Sequence, residues 1–478
     1  MADRPPAPAG LRVSLADGVH VAEGGVDSSG TLLGGSPPRL VRLTATGAAR
    51  VAAWSAGEPL GASLAERRLA RRLLDAGIVH PEPQAGQRQA HVVMPVHAEP
   101  DIAPVAALLG DGRPTIVVDD GSDEPVTAAA GIEVVRRDRS AGPASARNEG
   151  VRRAVADGAA FVVFVDADVD AHPGWTDALL AHFDDPNVAA VAPRVRAAVG
   201  ATMLDRYEMT FPSLDQGPHP ASVGPGRAVP YVPSAALAVR VAAFDEVGGF
   251  DPSLRFGEDV DLVWRLVAAG YTVRYDPSVE VRHRAREDWR GWLTQRRAYG
   301  SSAASLAARH GAAVAPARAP AGVYATIGAA VLAPAPVPAA VGAVEIVAAQ
   351  RRVRASLGEH HDPGLVAGGL ARALQSSVLA IVRAGLPFAV LLALSGRRQR
   401  RRLVALVVAA AATEVAEAPA AVGRMRTLAL RLLDHGAYGL GVWEGLVRIG
   451  RPGLPAILPR LTRPGVRADA VTADTVPS

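Results

Sequence analysis

A continuous apolar run, Phe161-Val162-Val163-Phe164-Val165, ends in two carboxylates one residue apart, Asp166 and Asp168. A run of β-branched and aromatic residues without polar alternation suits a parallel strand covered on both faces. Open α/β sheets bind ligands beyond the carboxyl ends of their strands, so this strand delivers two acids to where a ligand sits. Acids this close repel each other and lose hydration, a cost that a hard divalent cation with oxygen ligands offsets directly. The same residues also suit a solvated acidic turn or a helix cap. The rest of the chain decides between the two.

The chain has 478 residues, 49% of them hydrophobic, enough for about three domains with ample core material. Its 51 basic residues, all Arg, against 47 acidic ones leave a net charge of +4. So small an excess does not make the concentrated basic face that nucleic acid requires, so no nucleic-acid partner is expected. The absence of Cys excludes disulfides, thiolate metal sites and Cys nucleophiles together. Met1 to Gly10 lacks the apolar core of a secretory signal, which places the expected chemistry in the cytoplasm.

Residues 1–83 read as a small N-terminal module, with strand patterns around Gly18 to Ala22 and Thr31 to Leu33 and a helix from Leu64 to Ala76. Gly77 and Pro81 end it. Leu69 to Val79 resembles the last helix and wing of a small winged-helix domain, of the kind some peptide-modifying enzymes use to hold a leader peptide; a packing appendage fits equally well. Residues 84–90 form a polar linker. From His91 the pattern alternates between strand and helix, which predicts a parallel sheet. The first strand, His91 to His97, must carry Pro95 at its end, because proline cannot donate to a central ladder. The second, from Thr115, breaks into Asp119-Asp120-Gly121-Ser122, acids placed to accept hydrogen bonds from a nucleobase or ribose. Ala144 to Gly150 opens a helix whose free N–H groups and Arg147 can face an anion. The connection from Val195 to Arg227 is expected to be an acceptor-side loop or lid. Glu258-Asp259 opens a further helix, where acids alone more often serve as dipole partners and caps.

In this order, Val93-Met94-Pro95-Val96, Val118-Asp119-Asp120-Gly121-Ser122, Ala146-Arg147-Asn148-Glu149-Gly150, Asp166-Ala167-Asp168, Gly248-Gly249-Phe250-Asp251, Gly257-Glu258-Asp259-Val260-Asp261 and His283 resemble the family 2 glycosyltransferases. The resemblance implies an α/β GT-A core, Rossmann-like and nucleotide-sugar-binding, over residues 91–302. It implies a divalent metal, Mg²⁺ or Mn²⁺, held by Asp168 with Asp166 and His283, and a nucleotide-sugar site lined by Pro95, Asp119, Asp120, Arg147 and Asp166. It also places the general base of an inverting transfer at Asp259. More narrowly, Leu32-Leu33-Gly34-Gly35-Ser36-Pro37 and Ala437-Tyr438-Gly439-Leu440-Gly441-Val442-Trp443 resemble the branch of that family acting in mycofactocin biosynthesis. That branch implies glucose transfer from UDP-glucose onto a small peptide-derived redox cofactor, building a short β-linked glucan. Processive members carry Gln-x-x-Arg-Trp near Gln295, whereas this chain has Ala298 and Tyr299 there, which speaks against long-chain processivity. The competing readings are a membrane glycosyltransferase for a lipid-linked or surface polysaccharide and a non-catalytic nucleotide-sugar-binding protein.

Residues 303–462 form an apolar helical region expected to meet membrane lipid, with the catalytic domain on the cytoplasmic side of the cell membrane. Ala319 to Val344 is uncharged but broken by Pro334, Pro336 and Pro338, and Ala373 to Ser395 is apolar except for Arg383. Arg351, Arg352 and Arg354 follow the first run, and Arg397, Arg398 and Arg400 to Arg402 follow the second. Two full spans would put one basic loop outside, against the usual charge rule, so shallow or re-entrant helices on anionic lipid fit better. A buried helical module in a soluble protein is the alternative. Residues 463–478 are expected to be a disordered tail.

Overall fold

The computed structural model describes residues 4–23, 30–84, 86, 88–98, 112–127, 131–284, 286, 288–357, 363–419, 423–462 and 467–470. The chain divides into two compact units, one of Met1–Ala198, Ser213–Arg284 and Arg467–Ser478, the other of Val199–Pro212 and Ala285–Val466.

The first unit is built on a sheet of nine strands. Its order is Val169–Ala171, Thr272–His283, Val188–Ala197, Ala236–Arg240, Phe161–Val165, His91–Val96, Thr115–Asp119 and Ile132–Arg136, with Ala221–Ser222 added beside Thr272–His283. Phe161–Val165 is buried at all five positions, as its unbroken apolar run requires. It runs parallel to His91–Val96, which is parallel to Thr115–Asp119 and so on to Ile132–Arg136, while Ala236–Arg240 returns antiparallel on its other side. Pro95 is the penultimate residue of its strand. Val92 N–H and the Val96 carbonyl bond toward the Thr115–Asp119 side, so the alternate residues, Pro95 among them, face Phe161–Val165. Pairing on that side ends at Val93, and the missing donor leaves no gap in the ladder. Helix Pro143–Ala156 lies close on this layer. A Cβ at Gly150 would stand 2.3 Å from Val93 Cγ1, so only glycine allows the approach.

The N-terminal module has its own core, in which Val13, Leu32, Val41, Trp54, Leu69 and Leu73 pack together. Its helices are Ala45–Ser55 and Leu64–Ala76, the latter closed by Gly77 in the left-handed conformation and followed by strand Val79–Glu82, which pairs with Arg12–Leu15. His20–Glu23, Gly30–Gly34 and Arg39–Leu43 form a meander, and Arg467–Ala470 joins its edge in parallel with Arg39–Leu43. Of the expected disordered tail, residues 463–466 and 471–478 lie outside the described residues. The module is fastened to the catalytic sheet by buried charge: Arg71 grips Asp185 with one terminal nitrogen 2.7 and 2.8 Å from its two carboxylate oxygens, and Arg274 donates to His80 at 3.0 Å.

The second unit is helical. Trp289–His310 belongs to it entirely, so the expected boundary at residue 302 falls inside a helix. The expected loop or lid from Val195 to Arg227 is corrected: Val195 lies in strand Val188–Ala197, and residues 199–212, with helix Met203–Thr210, fold into the helical unit. There Tyr207 donates to Asp434 at 2.8 Å, and Arg296 pairs with Glu208 and with Asp434. The two apolar runs are each broken. Ala321–Leu332 is followed by Pro336–Leu357, and Pro363–Arg383 by Leu386–Leu394. Among the described residues no single helix is long and apolar enough to cross a membrane, although the pair Val366–Arg383 and Leu386–Leu394, bent by 87°, meets the length and composition of a broken or re-entrant span.

Candidate active site

The carboxyl edge of the parallel strands collects the acids. Asp166 follows Phe161–Val165 directly, its N–H held by the Ala235 carbonyl at 3.0 Å. Its side chain remains 26% exposed, and that of Asp168 21%. Val169–Ala171 then pairs antiparallel with the end of Thr272–His283, so Val169 faces His283. This register brings His283 Nε2 to 3.3 Å from Asp168 Oδ1. Arg284 closes the turn, its N–H on the Asp168 carbonyl and its guanidinium on that of Ala167, both at 2.9 Å.

Among the described residues no three His, Cys, Asp or Glu side chains gather as a metal cage. Asp168 and His283 instead offer one carboxylate and one imidazole, both partly exposed. That donor set fits an ion which takes its remaining ligands from phosphate and water, as Mg²⁺ does with few protein carboxylates. The expected further ligand, Asp166, has one carboxylate oxygen bound by arginine. Arg147 reaches it at 2.6 Å and reaches Glu258 at 3.1 Å with its other terminal nitrogen. Arg147, expected to face an anion of the ligand, is 3% exposed, stacked 5.5 Å from the Phe250 ring, and bound by the protein's own acids. Burial alone would lower the affinity of its guanidinium for the proton, but the charges of Asp166 and Glu258 more than reverse this.

Asp119 and Asp120, expected at the nucleotide, each bind the protein's own chain. Asp119 is fully buried and accepts from the N–H groups of Ser122 at 2.9 Å and Val126 at 3.3 Å and from Arg136 at 2.5 Å. Burial pushes its carboxyl up, yet these donors prevail and hold it below its ordinary range. Asp120, 3% exposed, accepts from Ser140 Oγ and the Gly142 N–H at 2.8 Å and from the Ala141 N–H at 3.1 Å. Both carboxylates thus bind the protein's own chain, holding the turn after Thr115–Asp119 and the entry to helix Pro143–Ala156. Gly121, the next residue in the chain, has φ 70°, and a Cβ there would lie 2.6 Å from the Ser140 nitrogen, so the turn needs glycine.

Three acids open helix Glu258–Ala268, and the structure separates their tasks. Asp261 is 1% exposed and pairs with Arg265 at 2.7 Å. Glu258 is bound to Arg147; burial, reinforced by the charge of Asp259 and opposed by Arg147, pushes its carboxyl up to about 7. Asp259 is partly exposed and accepts from backbone N–H groups, those of Val260 at 2.7 Å and of Ser234. Its carboxyl is also raised, first by burial. Of the three, it is the one without a bonded arginine among the described residues.

Two contributors escaped the sequence reading. Asn148 holds the Gly248–Asp251 turn by donating to the Phe250 carbonyl at 2.7 Å and accepting from the Phe250 N–H at 3.0 Å; its signal was present in the motif beside Arg147. Ala98 has φ 60° and donates its N–H to Ser122 Oγ at 3.0 Å, a strained position for a residue with a Cβ, and nothing in the sequence marks it.

The sequence model for glycosyl transferase family group 2 matches residues 161–413. The pre-mycofactocin glycosyltransferase of Mycobacterium tuberculosis is 39% identical over 439 residues, which is 87% of this chain and 92% of that protein. The N-acetylglucosaminyl-diphospho-decaprenol L-rhamnosyltransferase of the same organism is 35% identical over 144 residues, 26% of this chain and 46% of that protein. The solved structure of GalNAc-T7 with UDP, GalNAc and Mn²⁺ overlays with a TM-score of 0.33 at 17% identity, over 49% of this chain and 52% of that one, a distant likeness only.

Proposed function

The chain belongs to glycosyl transferase family group 2, and from that premise we propose that it transfers glucose from UDP-glucose to the mycofactocin precursor, a small peptide-derived redox molecule, with inversion at the anomeric carbon. The identity to the pre-mycofactocin enzyme across most of both chains supports this acceptor. The observation that carries the chemistry is the pairing of Asp168 with His283 at 3.3 Å, beside an Arg147-bound Asp166 and a separate acid, Asp259, with no arginine bonded to it among the described residues. Asp168 and His283 would hold a divalent cation, which acts as a Lewis acid on the diphosphate oxygens of the donor. Arg147 bridges Asp166 and Glu258 and offsets their mutual repulsion, fixing both in place. The turn held by Asp119 and Asp120 borders the nucleotide. Asp259 takes the proton of the acceptor hydroxyl from the face opposite the leaving diphosphate. The apolar helical unit, with its arginine-flanked helices, attaches the enzyme to the cytoplasmic side of the membrane.

The test offers purified enzyme a panel of nucleotide sugars with the precursor and identifies the product by mass spectrometry. A hexose added only from UDP-glucose and only with Mg²⁺ or Mn²⁺ is expected. Full activity in excess chelator, or preference for another donor, would overturn the corresponding part of the proposal.

A further inference from the structure

The helix Leu386–Leu394 buries none of its nine residues. Phe388, Val390, Leu391 and Leu394 are 61%, 49%, 65% and 75% exposed, an apolar face that water-facing helices do not keep without a partner. The element is nonetheless built. It meets Pro363–Arg383 at 87°, and helix Arg424–Ile449 holds the elbow from behind. Trp443 Nε1 donates to the Ala384 carbonyl and Arg383 Nε to His435 Nδ1, each at 2.9 Å, while His435 Nε2 meets Glu414 at 3.0 Å. The Phe388 ring stands edge-on to Trp443, with centroids 6.4 Å apart. Beyond Gly396 the next helix, Arg397–Glu417, begins with Arg397, Arg398, Arg400 and Arg401, all exposed. Arg402 turns back to the carbonyls of Val331 at 3.3 Å and of Ala333, next to Leu332, which is 65% exposed.

A rigid apolar elbow rimmed by guanidinium groups is complementary to the boundary of an anionic bilayer, where acyl chains take the apolar side chains and headgroup phosphates meet arginine. Nine residues of helix reach about 14 Å at 1.5 Å per residue, about half of a hydrocarbon core of roughly 30 Å. We infer that Leu386–Leu394 and the arginine row after it are a docking element for anionic lipid, lying in the interface without crossing it. This rests on the membrane attachment proposed above and specifies its means.

The test is flotation of the full-length protein with vesicles of phosphatidylcholine alone or mixed with phosphatidylglycerol. The wild type should float with the mixed vesicles and be released by high salt. Leu391→Glu with Leu394→Glu should weaken binding about tenfold or more, since charge within the apolar face is costly. Arg397→Gln with Arg398→Gln, Arg400→Gln and Arg401→Gln should remove the preference for anionic vesicles. UDP release from UDP-glucose without vesicles should be unchanged in both variants, and Phe388→Ser with Leu391→Ser serves if the glutamates lower the yield. A wild type that binds no vesicle overturns both the attachment and its means. Retained binding by the Leu391→Glu, Leu394→Glu variant, or wild-type extraction by detergent but not by salt or alkaline carbonate, overturns the docking element alone. A dimer abolished by the same substitutions, with no vesicle binding, would assign the face to a second copy of the chain and overturn both.

Discussion

Asp259 and Glu258 are adjacent, yet their surroundings divide them. A positioned base contributes about 10²–10⁴-fold, so Asp259→Asn should lose turnover in that range while donor affinity, measured by titration with UDP-glucose, changes little. A comparable loss of donor affinity would assign Asp259 to the nucleotide site. Glu258 gives a second prediction. Its carboxyl is raised from 4.5 to about 7 in the folded protein, so the folded state binds its proton more tightly than the unfolded chain does. That contribution to stability is complete below about 4.5 and is lost as pH rises through about 7. Thermal unfolding should therefore show the wild type losing ground to Glu258→Gln between about pH 5 and pH 8; parallel curves would mean that Arg147 neutralises the acid fully. The sequence carried each of these acids but not their sorting. Glu258 and Asp259 look alike as letters, and the separation arises because Arg147, 111 positions from Glu258, reaches one and not the other.

At the scale of elements, the strand ending in Asp166 and Asp168, the penultimate position of Pro95 and the helix beginning near Ala144 were legible, because apolar run length, proline chemistry and capping act locally. What lay beyond local rules was the fate of the connections. Residues 199–212 leave the sheet for the helical unit because Tyr207 and Glu208 find partners in Asp434 and Arg296, contacts that no pattern within the segment announces. The 87° elbow after Arg383 was likewise hidden within an apolar run that composition alone reads as continuous. Helix Pro143–Ala156 supplies the prediction for this scale. Gly150→Ala gains helix propensity but drives a Cβ into the fully buried Val93, and overpacking should prevail, costing about 1–3 kcal/mol in denaturant unfolding. A stabilised variant would show that helix and strand can separate at little cost.

For the whole molecule, the N-terminal module is an integral part of the catalytic unit. Arg71 and Asp185 are 4% and 6% exposed, and removing one member of a buried pair strands the other's charge at a cost of about 3–5 kcal/mol. Arg71→Ala should therefore lower the stability of the catalytic unit by that order, read as a shifted unfolding midpoint for the activity itself. If the module melted separately and activity persisted, the two would be independent. The order of strands has a last consequence. Ala236–Arg240 lies between Phe161–Val165 and Val188–Ala197 although it follows both in the chain. While a ribosome is making the protein, Phe161–Val165 with its parallel neighbours and Val188–Ala197 are both out before the strand that joins them exists. Each waits with an open edge, a state in which nascent chains mispair. The gap between them closes only when residue 240 has cleared the tunnel, and the far edge of Val188–Ala197 only when Thr272–His283 follows.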